Sequence, residues 1–541
     1  MMITRALRPR NRPVLNLSVI RSGFQASLTI LLLTALAGCG GSSSETAARL
    51  QPKDTLIFAR QRDSKDLDPA VPTDIESGQV AICICEGLVR FADDSCDVEP
   101  ALATDWEVSE DGLTWTFHLR ENVTFHDGNP LNAGAVLFSF QRQLDEDHPA
   151  HRIGKMPWAE MTIRPFIADI EAPDDATVVI TLSEPYAPFL RNLAMPCNSI
   201  ISPAAWEEHG QGISSNPVGT GPYRFVNWVR DDHILLERND DYWGSRPGLR
   251  QIYFRAVPDS VVRLTSLRRG ECHIALALSP NDLEDVEADP DLTLVTKPSY
   301  SISYLGFDCT KPPMDDPNFR AALSWAIDRN YLVENVFHGA AVEAVQMIPP
   351  GMLGHFDDLP QHGFDPDRAR EMLVDAGYGD GVNLFLDLYD APRPYNPVGP
   401  EIGPSIQQML GEVGVQTTIR VHEFGTYLDL LSQGETELSH RGWVTDNGDP
   451  DNFYWTHLGA EDNNSHFHDD ELSELMLAAA REVDESRREE LYRAVAERVH
   501  NLSPMVFLNH GLEIAAMRKE VQDFVLHPTG VHHLERVRLG E

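Results

Sequence analysis

Apolar and polar positions alternate with two different periods along this chain, and the change of period divides it. Residues 54–60 read as a short strand, and Asp68-Pro69 opens a loop after it. Between about 79 and 212 the two-residue period dominates. Trp115-Thr116-Phe117-His118-Leu119 and Thr177-Val178-Val179-Ile180-Thr181-Leu182 both alternate, with turn residues between them, so hairpins are expected there. From about residue 302 the helical period takes over. Asp316-Pro317 starts a predicted helix through Phe319, Leu323 and Ile327 towards Phe337, with Gly339 as its stop. Asp365-Pro366 starts another that buries Met372 and Leu373 and ends at Gly377. Two later stripes, Leu472, Leu475, Met476 and Ala479, then Leu491, Val495 and Val499, read as core faces of closing helices. A strand over 505–509 follows Pro504.

The most informative stretch lies between those helices. Leu384-Phe385-Leu386 is a near-continuous apolar strand, 406–413 an amphipathic helix and 416–421 a second strand. That is a β-α-β unit, whose strands should be parallel. Ligands of open α/β sheets bind beyond the C-terminal ends of the strands. Arg393 follows the first strand, and Asp446 follows a strand predicted over 439–444. Topology therefore brings one cation and one anion to the same rim.

The N-terminus carries a different pattern. Arg5, Arg8, Arg10, Arg12 and Arg21 precede the apolar run Leu28-Thr29-Ile30-Leu31-Leu32-Leu33-Thr34-Ala35-Leu36, which is too short to span a bilayer comfortably as a helix. A cleaved export signal over residues 1–38 is expected. Leu36-Ala37-Gly38-Cys39 resembles the lipobox of bacterial lipoproteins, which implies that Cys39 becomes the acylated N-terminus. Gly40-Gly41-Ser42-Ser43-Ser44 reads as the start of a flexible tether over 39–53. Nothing else is apolar enough to cross a membrane, so the remainder is expected in the periplasm or cell envelope, held to the membrane by lipid alone.

With 541 residues the chain exceeds one ordinary core, and more than one lobe is expected. Its 44 basic and 83 acidic residues give a formal charge of −39. Nucleic acid is excluded as a partner, since phosphates need basic patches, and so is a face lying on anionic lipid. Apart from Cys39 there remain Cys83, Cys85, Cys96, Cys197, Cys272 and Cys309, an even number that permits disulfides after export without assigning their pairing. Cys83-Ile84-Cys85 lacks zinc-site spacing, and no metal or cofactor is expected. His118 and His126 read as ordinary strand and turn positions. Gly219-Thr220-Gly221 is no phosphate cradle, because Pro222 removes a backbone N–H where one would be needed.

Several stretches carry a family resemblance. Gly442-Trp443-Val444-Thr445-Asp446-Asn447-Gly448-Asp449-Pro450-Asp451-Asn452-Phe453, with Arg393-Pro394-Tyr395-Asn396-Pro397 upstream, closely resembles the dipeptide binders of bacterial ABC importers, within the peptide/nickel extracellular solute-binding family 5. Asp111-Gly112-Leu113-Thr114-Trp115 through Arg120, Val123-Thr124-Phe125-His126-Asp127-Gly128, Asn216-Pro217-Val218-Gly219-Thr220-Gly221-Pro222-Tyr223 and Asp241-Tyr242-Trp243-Gly244 also match. After Trp455, His457-Leu458-Gly459-Ala460-Glu461-Asp462 departs from those dipeptide binders, which leaves side-chain preference open.

The resemblance implies an α/β, two-lobed periplasmic-binding-protein fold (type II, cluster C-like) with an extra inserted domain and a hinge. Lobe I would comprise 54–78, 213–301 and 508–541, the inserted domain 79–212, and the other lobe 302–507. It further implies a monomer that passes short peptides to an ABC permease and its ATPase subunits. Asp446 would hold the peptide ammonium and Arg393 its carboxylate, with Tyr395, Trp443 and Asn447 beside them. Physical chemistry supports such a pair, because each ligand charge removed from water needs an opposite charge in good geometry, and the planar fork of arginine suits a carboxylate. Relatives' other ligands are longer or antimicrobial peptides, haem and nickel complexes, and a cell-surface or chaperone-like role on the same fold is the remaining alternative. No nucleophile elbow, H-E-x-x-H or P-loop is present, and Asp446, Asp449 and Asp451 do not have EF-hand spacing, so catalysis is not expected.

Overall fold

One 13-residue strand, Val506–Arg518, joins the two halves of the main sheet. On one side it pairs antiparallel with Ser301–Phe307, which continues to Leu438–Val444, Val382–Tyr389 and Val415–His422. On the other side it pairs with Ile274–Leu276, beyond which lie Thr55–Arg60, Gln251–Ala256, His233–Arg238 and Tyr223–Val229. These features belong to a computed structural model that describes residues 54–152, 155–459 and 463–540. The expected export signal, Cys39, the tether, and Ala460, Glu461 and Asp462 lie outside the described residues.

The β-α-β expectation holds. Val382–Tyr389 pairs in parallel register with Val415–His422, from Val382 opposite Val415 to Tyr389 opposite His422, and the helix Ile402–Glu412 connects them. Leu438–Val444 lies parallel on the other edge of Val382–Tyr389. Apolar residues alternate in a separate four-stranded antiparallel sheet, in which Thr114–Leu119 pairs with Ala103–Val108 and Thr177–Leu182, and Thr177–Leu182 with Ile167–Asp174. Trp115, Phe117 and Leu119 face one core with Val178, Ile180 and Leu182. The helices Asp470–Arg481 and Glu485–Leu502 bury Leu472, Met476 and Ala479, and Val495 and Val499, in a second core.

Two expected elements differ. The helix predicted from Pro317 to Phe337 is interrupted: Pro317–Ala326 ends at an extended Ile327, and Asp328 caps a new turn by accepting from the Tyr331 N–H. Ile327 continues the apolar period, but the capping carboxylate one residue later restarts the helix. The strand predicted over 505–509 continues instead to Arg518. Asn509, His510 and Gly511 stay in the sheet, where the Ser301 carbonyl accepts from His510 Nδ1, Ser301 Oγ from the Gly511 N–H and the Tyr395 carbonyl from Asn509 Nδ2.

The six described cysteines are free thiols, five of them buried, and burial raises the pKa of each. They act as small apolar groups, and the permitted disulfides do not form among them.

Candidate functional site

A cavity of about 540 Å³ opens where the loops after Tyr389 and Val444 approach the helix Ile75–Ile84 and residues 194–199. Arg393, Tyr395, Trp443 and Asp446 all line it. Asn447 does not.

The loop carrying Asp446 is pinned from every side except at that carboxylate. The Thr445 N–H donates to the Tyr300 carbonyl at 2.9 Å, and the Gly448 N–H to Thr445 Oγ1 at 3.1 Å. Asn447 Nδ2 donates to Asn192 Oδ1 at 2.7 Å, and Asn447 Oδ1 accepts from the Asp449 N–H at 3.0 Å. The amide of Asn447 is thus committed to holding the loop. Asp449, fully buried, receives both Arg488 nitrogens at 2.7 and 2.8 Å. These bonds fix the backbone at Asp446 and leave its side chain to the cavity.

Asp446 has no hydrogen-bond or ion-pair partner among the described residues. Its edge touches the cavity, but deep placement strips away bulk water, and this desolvation alone pushes its carboxyl up to about 7. The other carboxylates lining the cavity are engaged. Asp74 caps a helix at Ser77; Glu86 accepts from Thr220 Oγ1, Tyr242 Oη and Trp243 Nε1 at 2.8 to 2.9 Å; and Glu535 accepts from Arg90 at 2.7 Å. Burial still raises the Glu86 carboxyl to about 6, whereas His533 and Arg90 hold Glu535 well below the usual range.

Arg393 is the cationic counterpart. A tight turn presents it: the Arg393 N–H donates to the Asn396 carbonyl and the Asn396 N–H to the Arg393 carbonyl, each at 2.9 Å. Asn396 is buried and donates its amide to the Gly399 carbonyl and Tyr389 Oη. The guanidinium carbon lies 3.3 Å from the centroid of the Phe424 ring, Nε is buried without a partner, and no carboxylate meets it among the described residues. Burial lowers its pKa. Arg90, the other arginine lining the cavity, is ion-paired with Asp93, Glu99 and Glu535.

Tyr395 and Trp443 complete the wall. A Cβ at Gly442 would lie 2.2 Å from Tyr395 Cδ2, so the ring rests on backbone that only glycine leaves open. Trp443 Nε1 donates to Asn452 Oδ1 at 2.7 Å, which orients the indole.

Glu86 is a cavity residue that sequence reasoning missed. The signal lay in two motifs read only as fold markers, since Thr220 belongs to the Gly-Thr-Gly-Pro run and Tyr242-Trp243 to the Asp-Tyr-Trp-Gly run, and all three donate to Glu86. His126 steadies the first motif through the Gly221 carbonyl at 2.9 Å, and burial lowers its pKa to about 4. The cysteines of the Cys-x-Cys run meet no such cluster. Among the described residues the one grouping of possible metal ligands is Asp93, His533 and Glu535, with Arg90 and Arg536 already on its carboxylates.

Residues 97–465 match the model of the bacterial extracellular solute-binding proteins, family 5 middle region. The dipeptide-binding protein of Escherichia coli K12 is 34% identical over 513 residues, covering 91% of this chain and 96% of that protein. Heme-binding protein A of Haemophilus influenzae is 31% identical over 532 residues, 94% of this chain and 97% of that protein. The ABC transporter-associated periplasmic binding protein DppA from Helicobacter pylori, solved with the peptide STSA, superposes with a TM-score of 0.77 at 32% identity, over 90% of this chain and 98% of its own. The chain belongs to the bacterial extracellular solute-binding proteins of family 5, and it has their mixed α/β, two-lobed fold.

Proposed function

We propose that this protein captures short peptides, dipeptides foremost, between its two lobes and delivers them to a membrane permease powered by ATPase subunits. Asp446 holds the peptide ammonium and Arg393 its carboxylate. The observation that carries this reading is one carboxylate and one guanidinium in one cavity that no described side chain hydrogen-bonds or ion-pairs: the other carboxylates lining it accept hydrogen bonds, and the other lining arginine is ion-paired. A buried charge without a counter-charge costs several kcal/mol. A zwitterion supplies both missing partners at once. The cavity volume lies in the range usual for small-ligand sites.

Closure of the lobes expels water, and the two ion pairs strengthen as the dielectric around them falls. Main-chain groups of the peptide pair with extended protein segments, as in strand addition. The chain works as a monomer in the periplasm, anchored by lipid on Cys39, with 54–78, 213–301 and 508–541 in one lobe, 302–507 in the other, and 79–212 inserted.

Protein purified, unfolded and refolded to strip carried-over ligand is titrated in a calorimeter with dipeptides, tetrapeptides, haem and a nickel–histidine complex. Saturable dipeptide binding stronger than that of every other class supports the reading. Tight haem or nickel binding with no dipeptide heat contradicts it.

A further inference from the structure

Beside the main cavity lies a second recess of about 140 Å³. The two share Tyr395, Phe424, Leu428, Gly442 and Trp443 as walls, so the recess is a side chamber of the ligand cavity. One water needs only about 10–15 Å³, so the chamber is large enough for a side chain.

Its floor is the strand Leu438–Val444. Ser439, Arg441 and Trp443 alternate onto one face, and Arg441 stands directly opposite Tyr304 across the antiparallel pair. Arg441 is only 6% exposed. Its Nε donates to Ser439 Oγ at 2.9 Å, and its guanidinium meets no carboxylate among the described residues. The side chain lies flat on Gly306, where a Cβ would come within 2.6 Å of Arg441 Cδ and Nε. The strand pairing therefore keeps a place for a large cation, and among the described residues its side chain makes a single neutral hydrogen bond.

Among the described residues the surroundings offer no competing anion. His457 stands edge-on to Tyr304 and Trp443, at 5.5 and 5.4 Å, and is bonded through Nδ1 to the Phe453 carbonyl. Burial, with a smaller contribution from Arg441, lowers its pKa to about 4, so the ring is neutral. Asp308, just past the end of the neighbouring strand Ser301–Phe307, is taken by Lys311 at 2.9 Å and lies beside His466 at 3.3 Å. Asn464 and Ser465 add polar groups to the chamber wall.

We propose that this chamber is a subsite for a side-chain carboxylate of the ligand, so that peptides carrying Asp or Glu bind in preference to their Asn or Gln counterparts. The inference rests on the short-peptide reading and adds to it the class of peptide. Arginine is suited to the task because its planar fork donates two parallel hydrogen bonds to a carboxylate. A fully desolvated charged hydrogen bond of this kind corresponds to a preference of roughly tenfold to hundredfold over the neutral amide.

The test compares Ala-Glu with Ala-Gln, and Glu-Ala with Gln-Ala, by calorimetry on refolded wild type and on Arg441→Met and Arg441→Gln. At least one pair should favour the acid by about tenfold or more in wild type. In both variants that ratio should fall to about one, with cooperative thermal unfolding showing that each is folded. Equal affinities within both pairs in wild type overturn the proposal even if neither variant folds, as does a preference that survives both substitutions. Ala-Ala separates the two claims. If it binds wild type while neither pair discriminates, only the subsite fails; if no dipeptide binds at all, the short-peptide reading fails first.

Discussion

Protonation of Asp446 should set the pH dependence of ligand binding. Its carboxyl sits near 7 because burial disfavours the charge and no described residue compensates. A ligand ammonium supplies the compensation, so in the complex the group returns towards its ordinary 3.8 or lower. Binding therefore takes the ionised form. Above pH 7 that form is already present; below it, each unit costs about tenfold in affinity, or roughly 1.4 kcal/mol. At pH 5 the dipeptide should bind about 100-fold more weakly than above pH 7, a loss of about 2.7 kcal/mol. The ligand's own termini do not obscure this, since its amine titrates near 8 and its carboxyl near 3.5, roughly. Glu86, near 6, lines the same cavity and adds a slope of its own. The assay is thus calorimetry from pH 5 to 7.5 on wild type beside Asp446→Asn, whose difference isolates Asp446. A wild-type slope no steeper than that of Asp446→Asn, or tighter binding in acid, would refute the reasoning.

The same shift has a consequence for stability. The folded pKa of Asp446 exceeds its unfolded value, so its contribution is fully present below about pH 4 and is lost as pH rises through about 7. Asp446→Asn should accordingly stabilise the ligand-free protein at pH 8 by up to about 4 kcal/mol, with the gap shrinking towards pH 4, as measured by urea unfolding at each pH; a destabilised variant at pH 8 contradicts this. Gly442→Ala should weaken dipeptide binding at least tenfold and cost about 1–3 kcal/mol of stability, because the new methyl displaces the Tyr395 ring; unchanged calorimetric affinity would show that Tyr395 plays no part. Cys39→Ser should abolish incorporation of labelled fatty acid in cells, and equal labelling of both proteins would end the lipid-anchor proposal.

What could be read from the sequence was what local period encodes. The helix between two apolar strands required a parallel pair, and with Leu438–Val444 parallel on the other edge of Val382–Tyr389 it puts Arg393 and Asp446 beyond two neighbouring strand ends. What could not be read depends on partners far away in the chain. Asn447 looks like a ligand group until Asn192, in a distant segment, takes its amide. Glu86 acquires its role from Thr220, Tyr242 and Trp243, more than a hundred residues downstream. Arg441 in a strand reads as a solvent-facing charge, and only the pairing with Tyr304 and the bare backbone at Gly306 turn it inward. The break at Ile327 was hidden for the opposite reason: an apolar residue kept the helical period while the next side chain capped a new turn.

Recognition of a zwitterion at both ends is tested most directly by calorimetry of two ligand–mutant cycles. One pairs Asp446→Asn with Ala-Ala and its N-acetyl form, the other Arg393→Gln with Ala-Ala and its amide. Each substitution should hurt the free dipeptide far more than the blocked one, with coupling of about 3–5 kcal/mol, the cost of leaving one buried charge unpaired. Coupling below about 0.5 kcal/mol in both cycles, the scatter of independent sites, would contradict it and leave Asp446 and Arg393 as ordinary loop residues.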